Sequence, residues 1–374
     1  MGLMPTWERD FVGIESATAP RNVIGFHPCQ GGYFRPVGRR PRVALIAAHY
    51  GADFSEHYLA PSLAERGYGF LGFNTRFRGA EASFLLEHAL VDLGAGVNWL
   101  REVAGVEAVV LLGNSGGGSL MAAYQSQATQ PTLSALPGLE LPAAVNELAP
   151  ADAFITLNAH PGRPEVLTAW MDPSVTDEGD PTSLDPSLSM YAPENAPPYS
   201  PEFVARYRAA QTARNGRITA WVKAELERLA NAGHFERFFS VPRLWADLRM
   251  LDGTLDPSDR EVGVCYAGDP KFANNSPFGI AGTTSLRTWL SMWSLEDSAC
   301  RGELHFSKIE APSLVLQTLA DTGVFPSDAR FIHEHLAAKD KRIELLPGDH
   351  FLTQADARTR VADTIVDWLR EHRF

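Results

Sequence analysis

The sequence predicts an α/β protein: a mostly parallel sheet with helices on both faces, interrupted by a large, mainly helical insertion. Three observations carry this. Short, unbroken apolar runs bounded by turn residues recur in the first half of the 374-residue chain, and such runs suit parallel strands covered on both faces. Between them lie stretches with apolar residues three and four apart, the alternation expected of βαβ units. That alternation stops after position 160 and resumes near Ala311.

Taken in order, Arg42–Tyr50 (RVALIAAHY), Tyr68–Asn74 (YGFLGFN) and Val106–Asn114 (VEAVVLLGN) are the first strands. Helices are expected over Ser55–Arg66, over Glu87–Val103 and in SGGGSLMAAYQSQA, which follows Asn114. Ala151–His160 (ADAFITLNAH) is a further strand. Gly162–Phe306 breaks the pattern with turn-laden sequence near its start, then helical periodicity in Glu202–Asn231. A strand at Pro312–Ala320, a helix at Ser327–Ala337, a strand at Lys341–Leu346 and an amphipathic helix at Ala355–Arg370 close the chain. The expected division is a core of residues 1–160 and 307–374, with 161–306 as the insertion.

Composition narrows the function classes. Forty-five acidic against 33 basic residues give a net charge of −12, and no Lys/Arg stripe appears, so nucleic acid and anionic membranes are not expected partners. The apolar runs are too short to span a bilayer. Cys29, Cys265 and Cys300 offer neither a disulfide framework nor a zinc-type spacing. The start, MGLMPTWERDFVG, lacks a basic segment followed by an apolar one, so a cytoplasmic protein is expected. The expected partner is a small-molecule substrate, and a homodimer is compatible with the sequence.

The chemistry concentrates in Val109–Met121, VVLLGNSGGGSLM, where Gly113-Asn114-Ser115-Gly116-Gly117 matches G-x-S-x-G between a buried strand and a helix. A serine held on a sharp strand-to-helix turn needs neighbours without side chains. The helix start beyond it offers free N–H groups to a developing oxyanion. The plainer reading is a Gly-rich turn whose serine caps the helix. Neither a Walker loop nor a dinucleotide loop fits the spacing.

A serine hydroxyl needs a base, itself oriented by an acid. His350 follows the last strand in LLPGDHFL, and Asp321 follows the strand before it in LQTLADTGVFP. His49 and His160 compete with His350 because each also ends a strand, and each could instead line the pocket. Asp349 is the rival acid, but a sequence neighbour of His350 cannot easily reach its far ring nitrogen.

The order Ser115, Asp321, His350 resembles that of the α/β-hydrolase superfamily, and the likeness covers Arg42–His160 and Ala311–Phe374. It rests on LLGNSGG, LADTGVFPSDA and the PGDHF loop. The resemblance implies an oxyanion hole built from the N–H of Gly116 and a second N–H from His49-Tyr50-Gly51-Ala52, donated by Tyr50 or by Gly51. The Tyr50 ring either packs or adds a hydroxyl donor. Arg76 and Arg78, in LGFNTRFRG, are read as structural. The resemblance also implies that Gly162–Phe306 is a cap. Its five tryptophans (Trp170, Trp221, Trp245, Trp289, Trp293) mostly fill its own core, with Trp170 and Trp221, alongside His49 and His160, as candidates for substrate contact. The implied activity is hydrolysis of a carboxylic ester of a small-to-medium, mostly apolar substrate, with no metal or organic cofactor. A carbon–carbon bond hydrolase, a lactonase or an amidase shares the same triad. A ligand-binding protein on a hydrolase scaffold is the reading outside enzymology.

Overall fold

A strand whose side chains are all apolar needs cover on both faces, and such strands form the centre of the structure. The computed structural model describes residues 6–18, 27–277 and 279–374; the first five residues, part of the N-terminal reading, lie outside that range. Among the described residues the strands are β1 (Trp7–Ile14), β2 (Cys29–Pro36), β3 (Val43–Ala48), β4 (Gly69–Asn74), β5 (Ala108–Asn114) and β6 (Ala153–Leu157). A short antiparallel pair follows, β7 (Phe238–Ser240) and β8 (Thr283–Ser285), then β9 (Ser313–Thr318) and β10 (Lys341–Leu346). All but β7 and β8 join one sheet in the order β1-β2-β4-β3-β5-β6-β9-β10. From β4 to β10 the neighbours run parallel, whereas β1 and β2 are antiparallel additions at one edge.

Sequence reasoning missed β1 and β2. WERDFVGI and CQGGYFRP lack an unbroken apolar run and a clean alternation. Glycine has a physical reason here: a Cβ on Gly31 would stand 2.4 Å from the Gly72 carbonyl oxygen, and one on Gly32 the same distance from that of Ser55. Only a residue without a side chain allows so close a backbone approach.

In chain order the helices are α1 (Ala60–Glu65), α2 (Leu86–Trp99), α3 (Gly117–Thr129), α4 (Arg163–Trp170), α5 (Pro201–Asn231), α6 (Pro270–Asn274), α7 (Leu286–Thr288), α8 (Glu303–Phe306), α9 (Pro326–His335) and α10 (Ala357–Glu371). Strand β5 shows how both sheet faces are filled. Val109 and Leu111 pack with α2 and α3, while Val110 and Leu112 pack with α1 and α10. Each fully buried side chain of this size contributes about 1.5–3 kcal/mol.

Within the insertion, Ser200 caps α5 by accepting from the Phe203 N–H at 3.2 Å, with Pro201 in the first turn. Arg214, on the inner face of α5, is fully buried; it pairs with Glu178 at 2.5 Å and donates to the carbonyls of Asp172 and Pro242. Trp289 and Trp293 join the main core, whereas Trp170 and Trp245 belong to a satellite cluster. Most of the insertion's large rings therefore serve packing.

Candidate active site

Parallel strands bring their carboxyl ends to one edge, where ligands of open α/β sheets bind. Here Asn114 lies opposite Leu157, and Leu346 opposite Thr318, so the segments after β5, β6, β9 and β10 emerge together. Ser115 has φ of 56°, a left-handed conformation rare outside glycine. Tertiary contacts hold it there. Its N–H donates to the Leu157 carbonyl at 3.1 Å, and its own carbonyl accepts from Gly118 at 3.1 Å and His160 at 3.2 Å. A Cβ on Gly113 would stand 2.6 Å from the Gly118 Cα, and one on Gly117 would stand 2.3 Å from the Ala48 carbonyl oxygen. Those contacts explain the two glycines of the motif: strand, turn and helix are packed backbone to backbone. Ser115 itself is partly exposed, and among the described residues its hydroxyl has no hydrogen-bond partner.

Asp321 and His350 meet. The His350 Nδ1 lies 2.6 Å from Asp321 Oδ2, and both residues are buried. Oδ1 of Asp321 accepts from the N–H groups of Gly323 and Val324, at 2.9 and 3.0 Å. The histidine loop is also tied to the serine turn. The Tyr58 hydroxyl lies 3.2 Å from Asn114 Oδ1 and 3.3 Å from the His350 carbonyl, which also accepts from Asn158 Nδ2.

His49 and His160 also stand at this edge, each without a carboxylate partner among the described residues. Burial first, then the charges of Arg163 and His350, push His49 down to about 3. His160 is held well below the ordinary imidazole value for the same main reason. Both are therefore neutral near pH 7 but only weakly basic, and with no such carboxylate to orient them they are poor competitors for the role of base.

Tyr50 is fully buried, and its hydroxyl lies 3.0 Å from Ser119 Oγ on α3. The ring packs rather than offering a free hydroxyl. Among the described residues no hydrogen bond engages the N–H of Tyr50, Gly51 or Gly116. Arg76 pairs with buried Asp92 at 2.5 Å, and Arg78 with Asp53 at 2.7 Å.

Trp170 stacks on Trp245 and sets its edge against His160, with centroids 5.9 Å apart. Trp221 is 42% exposed, packs on Phe239 and lines a separate cavity with Asp177 and Arg217. It is not brought to His160 and Ser115. A cavity of about 440 Å³ opens beside His160, lined also by Glu165, Thr168, Arg208 and Arg249.

Two residues of the insertion escaped sequence reasoning. The Tyr266 hydroxyl lies 2.6 Å from Asp321 Oδ1 and 2.8 Å from His350 Nδ1. Burial and the adjoining carboxylate hold its hydroxyl well above the ordinary phenol range, so it stays a donor. Its ring presses on Gly323, where a Cβ would stand 2.5 Å from the Tyr266 Cζ. Arg163, at the start of α4, pairs with Glu81 and lies against Gly116. Neither position belongs to a periodic pattern or motif, so the sequence carried no signal for them.

Among solved structures the chain is similar to the α/β hydrolase GrgF of Penicillium sp. sh18, at 11% identity and a TM-score of 0.54, covering 98% of this chain and 100% of that one. It is also similar to a hypothetical protein of Pseudomonas aeruginosa, at 12% identity and 0.52, covering 100% and 96%. A third likeness is to DcsB, solved with a substrate analogue, at 11% identity and 0.52, covering 97% and 99%. No family model and no curated protein matches the chain. Identities this low speak to architecture, which the strand order and the strained serine turn also express: the chain has the α/β-hydrolase fold.

Proposed function

We propose that the protein is a serine hydrolase that cleaves a carboxylic ester of a small-to-medium, mostly apolar substrate. The observation that carries this reading is the Asp321–His350 contact of 2.6 Å, at the sheet edge where Ser115 holds its left-handed φ of 56°. His350 Nε2 takes the Ser115 proton as the serine oxygen adds to the carbonyl carbon. The π pair of the carbonyl moves onto its oxygen, which accepts from the N–H of Gly116 and from that of Tyr50 or Gly51. Asp321, aimed by its three other donors, stabilises the imidazolium. The tetrahedral adduct collapses, the ester C–O bond breaks, and His350 returns the proton to the departing alkoxide. Water, deprotonated by the same imidazole, then releases the acid and restores Ser115.

The cavity beside His160 is lined largely by polar and charged side chains and by neither Ser115 nor His350, so it is not the support for this reading. The experiment is direct. Wild type should turn over p-nitrophenyl butyrate and be labelled by a fluorophosphonate, and Ser115→Ala should lose both. Turnover by Ser115→Ala near the wild-type level would reject the assignment, because members of a triad act as a unit.

A further inference from the structure

Arg163 is 3% exposed, and a buried guanidinium brings five N–H donors that need partners. One corner, Nη2, donates to Glu81 Oε1. The flat faces lie over Tyr50 and Trp293, with Cζ 5.0 and 4.5 Å from the ring centroids. Nε is buried with no hydrogen-bond partner among the described residues. Nη1 reaches the serine turn: it stands 2.9 Å from the point that a Cβ on Gly116 would occupy. His49 Nε2 stands 2.7 Å from the same point. Two side-chain nitrogens thus fill the space that any other residue at 116 would claim.

We propose that Arg163 Nη1–H and His49 Nε2–H are oxyanion donors that act beside the N–H of Gly116; this rests on the serine-hydrolase reading above. The tautomer of His49 follows from its other nitrogen. Nδ1 accepts from the Ala52 N–H at 3.3 Å, so in the neutral ring the proton sits on Nε2. Glu81 is equally informative. It balances the guanidinium charge from the far corner, so the pair presents the positive end of a dipole while adding no net charge to the site. A neutral ester carbonyl gains little from that dipole, and a developing oxyanion gains much, which is the difference that accelerates a reaction. The two rings and Glu81 prevent the guanidinium from swinging, so no reorganisation accompanies the charge shift. The other ionisable groups facing Arg163 among the described residues are His49 and His160, both neutral, His350 beyond them, and the Tyr50 hydroxyl and Cys300 thiol, which burial holds in their neutral forms. No proton passes to Arg163 or His49. The carbonyl π pair moves onto oxygen when the Ser115 bond forms and returns when the leaving C–O bond breaks.

The test compares wild type with Arg163→Met, Arg163→Lys and His49→Phe, with p-nitrophenyl butyrate as substrate and a trifluoromethyl ketone as inhibitor. The ketone adds the serine oxygen and leaves a charged oxygen in the proposed hole. Rates are expressed per serine titrated with fluorophosphonate, a readout that loss of folded protein alone would not move. Arg163→Met should lower kcat about 10²-fold with KM nearly unchanged, and should weaken the ketone by the same factor that kcat/KM falls. Arg163→Lys should retain part of the rate, and His49→Phe should lose a smaller, separate factor. Wild-type kcat per titrated serine in Arg163→Met overturns the proposal. So does a raised KM with kcat and ketone affinity intact, because Arg163 would then hold a ground-state group. If Glu81, left unpaired, prevents Arg163→Met from folding, Arg163→Met with Glu81→Gln gives the same readouts, and His49→Phe with unchanged kcat would stand against the idea. Ser115→Ala separates the two levels. If it stays active, the serine reading fails; if it is dead while Arg163→Met is normal, only this inference fails.

Discussion

Asp321 receives hydrogen bonds from Tyr266, Gly323, Val324 and His350, so one carboxylate is saturated by protein groups. Asp321→Asn preserves the shape but offers His350 an amide, which stabilises no imidazolium and favours the wrong tautomer. The expected result is a kcat about 10⁴-fold lower per titrated serine, with an unchanged circular-dichroism spectrum. Tyr266→Phe removes one donor to an ionised group, worth about 1.5–3 kcal/mol. Its kcat should fall roughly ten- to a hundredfold by the same assay, much less than for Asp321→Asn, since the direct Asp321–His350 bond remains. At this scale the candidate site was legible where it follows local geometry. Ser115 announces itself because a strained turn demands specific neighbours. Asp321 and His350 are readable because each directly follows a strand of the same parallel set. Trp221 was proposed on residue type alone, and it lies on an exposed part of α5 because its position on that helix, not its chemistry, decides what it faces.

Elements add a second layer of constraint. Helix α3 can approach β3 only because Gly117 lacks a side chain, with the Ala48 carbonyl oxygen 2.3 Å from where a Cβ would be. Gly117→Ala must push helix and strand apart, so a loss of about 1–3 kcal/mol in chemical denaturation is expected, along with reduced fluorophosphonate labelling as the turn shifts. Ser200→Ala probes an element far from the turn. It should cost about 1 kcal/mol by the same measurement through the lost cap of α5, with kcat unaltered. The central strands were readable because burial on both faces forces an unbroken apolar run. Strands β1 and β2 were not, since a sheet edge tolerates charge, and Arg35 there pairs with Glu8 and Asp10. Strands β7 and β8, three residues each, are too short to show any period.

Across the whole molecule, acid should loosen the fold. Burial keeps His49 at about 3, and His57 and His305 at about 4, below the ordinary 6.5. Between those values and 6.5 these rings bind more protons in the unfolded chain than in the native one, so their contribution is intact above pH 6.5 and declines as pH falls, offset in part by Asp328, which burial raises to about 6. Each unit of separation is worth about 1.4 kcal/mol. The melting temperature should therefore begin to drop just below pH 6.5 and keep dropping to about pH 4. His305→Gln, which can still donate to the Ala299 carbonyl that His305 Nε2 meets at 2.7 Å, should flatten that slope. A melting temperature constant over this range would contradict the burial of these rings.

Tyr266 has a consequence for anyone wishing to rebuild the protein. The segment carrying Tyr266 cannot be treated as an interchangeable part, because its hydroxyl bonds to both Asp321 and His350. A chimera carrying another chain's insertion would inherit Asp321 one donor short, and a library aimed at new substrates should leave Tyr266 and the Gly323 it rests on untouched.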